Sequence, residues 1–134
     1  MAAFLKHAKS VRTNPPNDLD ERTFQFGCDA YDYCERLVRL GGIAARIGYQ
    51  LFDAASSVGA NREEAKSAYS RREYRSKNAV SLKESREARF WLRMAEAKCL
   101  GEKQQRIHLL NESNQLVSIF TAIVRRLREP GADF

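Results

Sequence analysis

Histidine, cysteine, proline and long apolar runs are all scarce in this chain, and each scarcity closes off a class of function. Two histidines, His7 and His108, stand among 134 residues. No pair has the E-x-x-H or H-E-x-x-H spacing from which helical di-iron and zinc sites are built. There is no G-x-S-x-G frame for a serine nucleophile and no glycine-rich loop to cradle a phosphate. The three cysteines, Cys28, Cys34 and Cys99, are odd in number and lack C-x-x-C spacing, which argues against a disulfide framework or a zinc knuckle. They are expected as buried, reduced thiols acting as small hydrophobes. Glu63, Glu64, Glu84 and Glu87 are the carboxylates available for acid–base work, but nothing joins them to a nucleophile. The expectation is a non-enzymatic protein with no cofactor and no metal.

Only 3 prolines and 7 glycines occur, a composition that favours long helices over a turn-rich β fold. No apolar run approaches the roughly 20 residues that cross a bilayer. The opening MAAFLKHAKSVRTNPPND lacks the apolar stretch of a secretory signal. A cytoplasmic protein with no membrane partner is expected.

What the chain has in quantity is charge, above all arginine. Hydrophobic residues make up 43% and charged residues 30%, an ordinary balance for one domain able to bury a core unaided. The net charge of +6 lies wholly in the second part. Residues 1–60 hold seven basic and seven acidic side chains, whereas residues 61–134 hold 16 against 10. Arginine outnumbers lysine 16 to 7, and the guanidinium fork suits bidentate contact with phosphate or carboxylate. Such a field favours anionic partners.

Along the chain, residues 1–17 read as an extension. AAFLKHAKSVR has the pattern of a short amphipathic turn or two, which NPPN stops. A four-helix bundle is expected over 18–129, with helices near 19–40, 43–67, 71–100 and 103–128. Asp18 and Glu21 have the form of a capping box, and Phe24, Ala30, Tyr31, Cys34, Leu37 and Val38 then recur at helical spacing. Gly41-Gly42 ends that helix. Ile43, Ile47, Gln50, Leu51, Ala54, Ala55 and Val58 mark the inner face of the second. In the third, Tyr74, Asn78, Ser81, Ser85, Ala88, Leu92, Ala95 and Cys99 form a stripe of mostly small residues that lets a neighbour approach closely. Leu109, Leu110, Leu116, Val117, Phe120, Ile123, Val124 and Leu127 line the fourth. Short connections make the expected fold an all-α, antiparallel, up-and-down bundle.

Two sets of polar residues carry the candidate function. Lys77 and Glu84 lie seven apart beside Trp91 on the flank of the packing face. Together with Asn61 and Glu64 they are expected to form a structural polar network, since buried opposite charges are usually paired. Arg62, Arg71, Arg72, Arg75, Arg86, Arg89 and Arg93, with Arg125, Arg126 and Arg128, are the candidate nucleic-acid contacts. Binding through them would be salt-dependent and largely blind to sequence. For one copy, a solvated face balanced by Glu63, Glu73 and Glu87 accounts for the same arginines. In a ring, repeated patches sum into one field.

At SSVGANREEAKSAYSRREY the chain resembles the bacterial intervening-sequence proteins, known as four helix bundle proteins. Their first block appears here as Gln50, Leu51, Ser57, Val58, Gly59, Ala60, Asn61, Glu64 and Ala65. A second appears as Ser70, Arg71, Glu73, Tyr74 and Lys77, and a third as Leu82, Lys83, Glu84, Glu87, Trp91 and Leu92. The match runs from about Thr23 to Leu127. Arg62 departs from the pattern, standing where relatives place an apolar or aromatic residue, and residues 1–17 exceed the usual start. The resemblance implies a bundle assembled as a homo-oligomer, commonly a pentameric ring. It also implies a place near ribosomal RNA genes or mobile elements, where related proteins assist a retroelement reverse transcriptase and bind nucleic acid. No catalytic residue is implied. The leading expectation is thus a basic oligomer that binds RNA or DNA through arginine; the alternative is a protein–protein adaptor with no nucleic-acid role.

Overall fold

The four stretches of helical periodicity become four helices. The computed structural model describes residues 18–128. In chain order they form α1 (Asp18–Leu40), α2 (Gly42–Ala65), α3 (Arg71–Ala97) and α4 (Lys103–Arg128), with no strand among the described residues. The extension expected over 1–17 and the end of the bundle at 129 lie outside the described residues. Each helix packs on the next in sequence, and α4 returns more sparsely to α1, with no close backbone approach across the diagonals. That is the neighbour pattern of a four-helix bundle. No helix among the described residues is long and apolar enough to cross a membrane.

Each helix end has a local chemical cause. α1 opens on Asp18, Asp20 and Glu21, whose carboxylates complement the positive end of the helix dipole. Asp18 is itself the first helical residue, one position inside the capping role expected of it. Ser70 caps α3, its hydroxyl accepting from the Glu73 amide at 3.1 Å, while the Glu73 carboxylate accepts from the Tyr69 amide at 2.9 Å. At α4, Glu102 accepts from the amides of Gln104 (3.1 Å) and Gln105 (2.7 Å). These two bonds hold its carboxyl below the ordinary range. α2 ends at Ala65 and α3 at Ala97, short of the expected 67 and 100. Cys99 follows with φ of 54°, so it leaves the small-residue stripe and is exposed.

The link between α1 and α2 is a single residue, Gly41, with φ 75° and ψ −178°, a region open almost only to glycine. A Cβ there would meet nothing within 4 Å, so the requirement is conformational and not one of space. Gly41→Ala is expected to lower stability by about 2 kcal/mol, seen as a lower urea midpoint with an unchanged m-value.

Gly59 has the opposite reason. A Cβ on it would stand 3.1 Å from the Thr23 carbonyl oxygen and 3.2 Å from its carbon. The backbones of α1 and α2 therefore meet so closely that a Cβ here would require the α1 backbone to give by a few tenths of an ångström. A side chain at residue 59 would thus press against α1.

The core is filled by Phe26, Tyr33, Leu37, Leu51, Val58, Leu92, Leu109, Leu116 and Phe120, with alanines where helices come close. On α3 the small-residue stripe is buried from Asn78 through Ser81, Ser85, Ala88 and Leu92 to Ala95. The Ser81 hydroxyl donates to the Val58 carbonyl at 2.8 Å, joining α3 to α2. The inner face of α1 differs from expectation. Thr23, Phe26, Ala30, Tyr33, Cys34 and Leu37 are buried, whereas Phe24 and Tyr31, expected inside, are 63% and 53% exposed. Ile43, also expected inside, is 78% exposed. Of the cysteines only Cys34 is buried; Cys28 and Cys99 are exposed.

Candidate nucleic-acid interface

The face of α3 that packs in the core determines where its arginines stand. With Asn78, Ser81, Ser85, Ala88, Leu92 and Ala95 turned inward, the positions Arg86, Arg89 and Arg93, spaced three and four apart, fall in line on one flank. Arg86 and Arg93 are exposed and Arg89 is half-buried. At the helical rise they cover about 10 Å of the axis. Arg72 is exposed at the second position of α3, and Arg125, Arg126 and Arg128 are exposed in the last turn of α4. These two ends are neighbours, because Arg71 Nη2 donates to the carbonyls of Arg126 (3.3 Å) and Leu127 (2.9 Å).

The ten candidate arginines divide sharply by engagement. Arg71 is occupied closing the end of α4. Arg75 is half-buried, with an Nε shielded from solvent and no partner among the described residues. Arg62 points into the bundle. Its Nε donates to Asp20 Oδ1 at 2.8 Å, and Nη1 donates to the Tyr74 hydroxyl at 3.0 Å and to Asn78 Oδ1 at 2.9 Å. Its guanidinium also lies 5.7 Å from the centre of the Tyr74 ring. Burial alone would depress its pKa; the bonds to Asp20 and Tyr74 outweigh burial and raise it. With a side chain only 13% exposed, Arg62 joins α1, α2 and α3 and is unavailable to a polyanion. Among the described residues, no hydrogen bond or ion pair engages the side chains of Arg72, Arg86, Arg89, Arg93, Arg125, Arg126 or Arg128.

The polar network forms only in part. Lys77 Nζ donates to Glu64 Oε1 at 2.6 Å, and this bond raises the Lys77 pKa. Glu84 is not brought to Lys77. It sits half-buried, its pKa raised by burial and then by the nearby charge of Glu87, and no ion pair reaches it among the described residues. Asn61 Nδ2 donates back to the Ser57 carbonyl of its own helix at 2.9 Å and takes no part in a wider network.

Other structural arginines escaped the sequence reading altogether. Arg106 is buried, its Nε on Glu96 Oε1 at 2.5 Å and its Nη1 on the carbonyls of Leu100 (2.7 Å) and Gly101 (3.2 Å). Arg22 grips Glu112 at 3.0 and 2.7 Å and Gln115 at 3.0 Å, tying α1 to α4. His108 Nε2 lies 3.0 Å from Asp29 Oδ2 on the same seam. The signal for Arg106 lay in its position, at helical spacing with Leu109 and Ser113 on the buried face of α4.

Fold and surface together define a small all-helical protein whose flank is rich in unengaged arginine. No protein-family model matches this chain, and no curated protein does. It is similar in structure to a protein of unknown function from the S23 ribosomal protein family of Bacteroides thetaiotaomicron. The two share 22% identity and superpose with a TM-score of 0.71 over 79% of this chain and 97% of that one. At that identity the likeness speaks to the fold, a small helical one shared along nearly the whole neighbour.

Proposed function

We propose that this protein is a non-enzymatic, ring-forming member of the intervening-sequence type that binds RNA or DNA through the outer arginines of α3 and the end of α4. The observation that carries the proposal is the division of the arginines. Arg62 and Arg71 are held by a carboxylate and by carbonyls and Arg75 is half-buried with a shielded Nε, while the other seven, six of them exposed, have no hydrogen bond or ion pair among the described residues. Unpaired guanidinium groups in a line neutralise successive phosphates and release their counterions. The ribosomal family name of the structural neighbour supports RNA as the polyanion. We further infer an antiparallel, up-and-down order of helices. The bond between Asp20 at the start of α1 and Arg62 near the end of α2 supports it. So does the bond between Arg71 at the start of α3 and the end of α4. Assembly as a homopentamer in the cytoplasm, with an accessory role beside a reverse transcriptase or mobile element, completes the reading.

Fluorescence anisotropy with labelled single-stranded RNA at two salt concentrations tests it. The variant Arg72→Glu, Arg86→Glu, Arg93→Glu changes only exposed positions and should keep its helical content. It is expected to lose about 100-fold in affinity at low salt and to flatten the salt slope by roughly 2, since each phosphate contact contributes about 0.7 for a single strand. Absence of binding by the parent protein at low salt, or unaltered binding by the variant, returns the adaptor reading. Light scattering on the same sample checks the ring; a particle of one 15.3 kDa chain would remove it.

A further inference from the structure

α1 carries two apolar stripes, and the core accounts for only one. The outer stripe, Phe24 and Tyr31, joins Phe52 of α2 to wall an open groove of about 590 Å³ that runs past Gly59. Tyr31 and Phe52 meet edge to face with ring centres 5.8 Å apart, a preformed aromatic wall. Asp20, Asp32 and Glu63 also line the groove. Over residues 18–66, which hold both helices, nine acidic side chains face six basic ones, a net charge of −3. The groove is thus apolar within. On its rim no ion pair engages Asp32 among the described residues, whereas Asp20 is met by Arg62 and Lys66 and Glu63 by Lys66.

The chain itself contains a segment of matching chemistry. Residues 1–17 hold Lys6, Lys9 and Arg12 and no acid, a net charge of +3. Phe4, Ala8 and Val11 stand at i, i+4 and i+7, the spacing of one apolar helical stripe. This segment joins α1 at Asp18, two residues before the groove begins at Asp20. Residues 13–17 extend at most about 17 Å, enough to reverse direction. The nine positions from Phe4 to Arg12 would cover about 12 Å at helical rise, which equals the stretch of α1 from Phe24 to Asp32.

We propose that residues 4–12 of the same chain dock in the α1–α2 groove, covering Phe24, Tyr31 and Phe52 with Phe4, Ala8 and Val11. Their basic side chains meet the acidic rim. The tether makes the contact intramolecular, so a weak intrinsic affinity suffices for occupancy. The docked segment covers aromatic surface that in a soluble protein marks an interaction site. This assignment is independent of the nucleic-acid reading, whose arginines lie on α3 and α4.

Disulfide trapping in the full chain tests it. Cys28 lines the groove, and Cys34 is buried with its thiol pushed up to about 12 by burial, which leaves it inert. In a chain carrying Cys99→Ser and Ala8→Cys, mild oxidation is expected to link position 8 to Cys28 within one molecule, located by peptide mass. The rate should exceed by roughly tenfold that of a control in which Cys28→Ser and Ser118→Cys move the acceptor to exposed α4, as the local concentration of a docked tether requires. Phe4→Asp, outside the four helices, and separately Asp32→Lys with Glu63→Lys should each slow the link severalfold while circular dichroism stays unchanged. Equal rates for groove and control acceptors overturn the proposal. So does a link formed between chains in a mixture of isotopically light and heavy protein, which would assign the groove to a second copy. Indifference of the rate to all these substitutions overturns it as well.

Discussion

Raising the pH from 9 towards 12 is expected to remove most of this protein's stability, through two adjacent core residues. Burial pushes the Cys34 thiol from 9.0 up to about 12. Tyr33 rises from 10.0 to about 12 by burial, against the opposing pull of Arg106. Both side chains are almost wholly excluded from solvent. Each is neutral when protonated, so the folded state retains a proton that the unfolded chain gives up. Their contribution is therefore fully present below pH 9 and drains away as the pH climbs through the folded values near 12. Each group removes about 1.4 kcal/mol per pH unit over its own window. Together they cost on the order of 5–7 kcal/mol, comparable with the whole stability of a domain this size. Urea unfolding at pH 8, 9, 10 and 11 measures the slope. Tyr33→Phe should flatten it above pH 10, at a cost of about 1 kcal/mol at neutral pH for the lost bond to the Leu100 carbonyl. Cys34→Ala should flatten it from pH 9. Stability that stays level from pH 8 to pH 11 would show that neither group is shielded as its environment requires.

Much of this arrangement was legible in the residues, and what was not has a common cause. Periodicity placed four helices within a few residues, because apolar and small side chains at every third and fourth position leave few alternatives. Gly41 was legible as the end of a helix, since paired glycines after an apolar periodic stretch have few other uses. Long-range partners were not. Arg62 finds Asp20 42 positions away, and Arg22 finds Glu112 90 positions away. Spacing along one helix carries no information about which carboxylate waits on another. The inner face of α1 was misread for a related reason. Phe24 and Tyr31 are as apolar as Phe26 and Tyr33, and periodicity alone does not rank two stripes on one helix. The count of arginines likewise does not rank them, because an arginine paired with a carboxylate in the interior is not presented to a partner.

Removing Arg62 is the change that best separates those two kinds of arginine. Arg62→Met keeps most of the side-chain volume and deletes three hydrogen bonds at once. Asn78 Oδ1 then loses its donor at a residue with no solvent exposure. Asp20 is left with Lys66 alone, at 3.5 Å. A buried acceptor without a partner costs about 1–3 kcal/mol, and breaking a well-buried ion pair about 3–5. Asp20 is 18% exposed and Arg62 13%, so water offsets part of the second cost. A loss of about 3 kcal/mol is expected, on the order of 10–15 °C in Tm for a domain of this length. At temperatures where the variant remains folded, its affinity for RNA and its salt slope should match the parent protein, because the guanidinium is held by Asp20, Tyr74 and Asn78. The triple surface variant should behave inversely, with Tm held within a few degrees and binding lost. If Arg62→Met melts like the parent protein but binds RNA more weakly, then Arg62 leaves its junction to contact phosphate, and the division of the arginines into inner and outer sets fails.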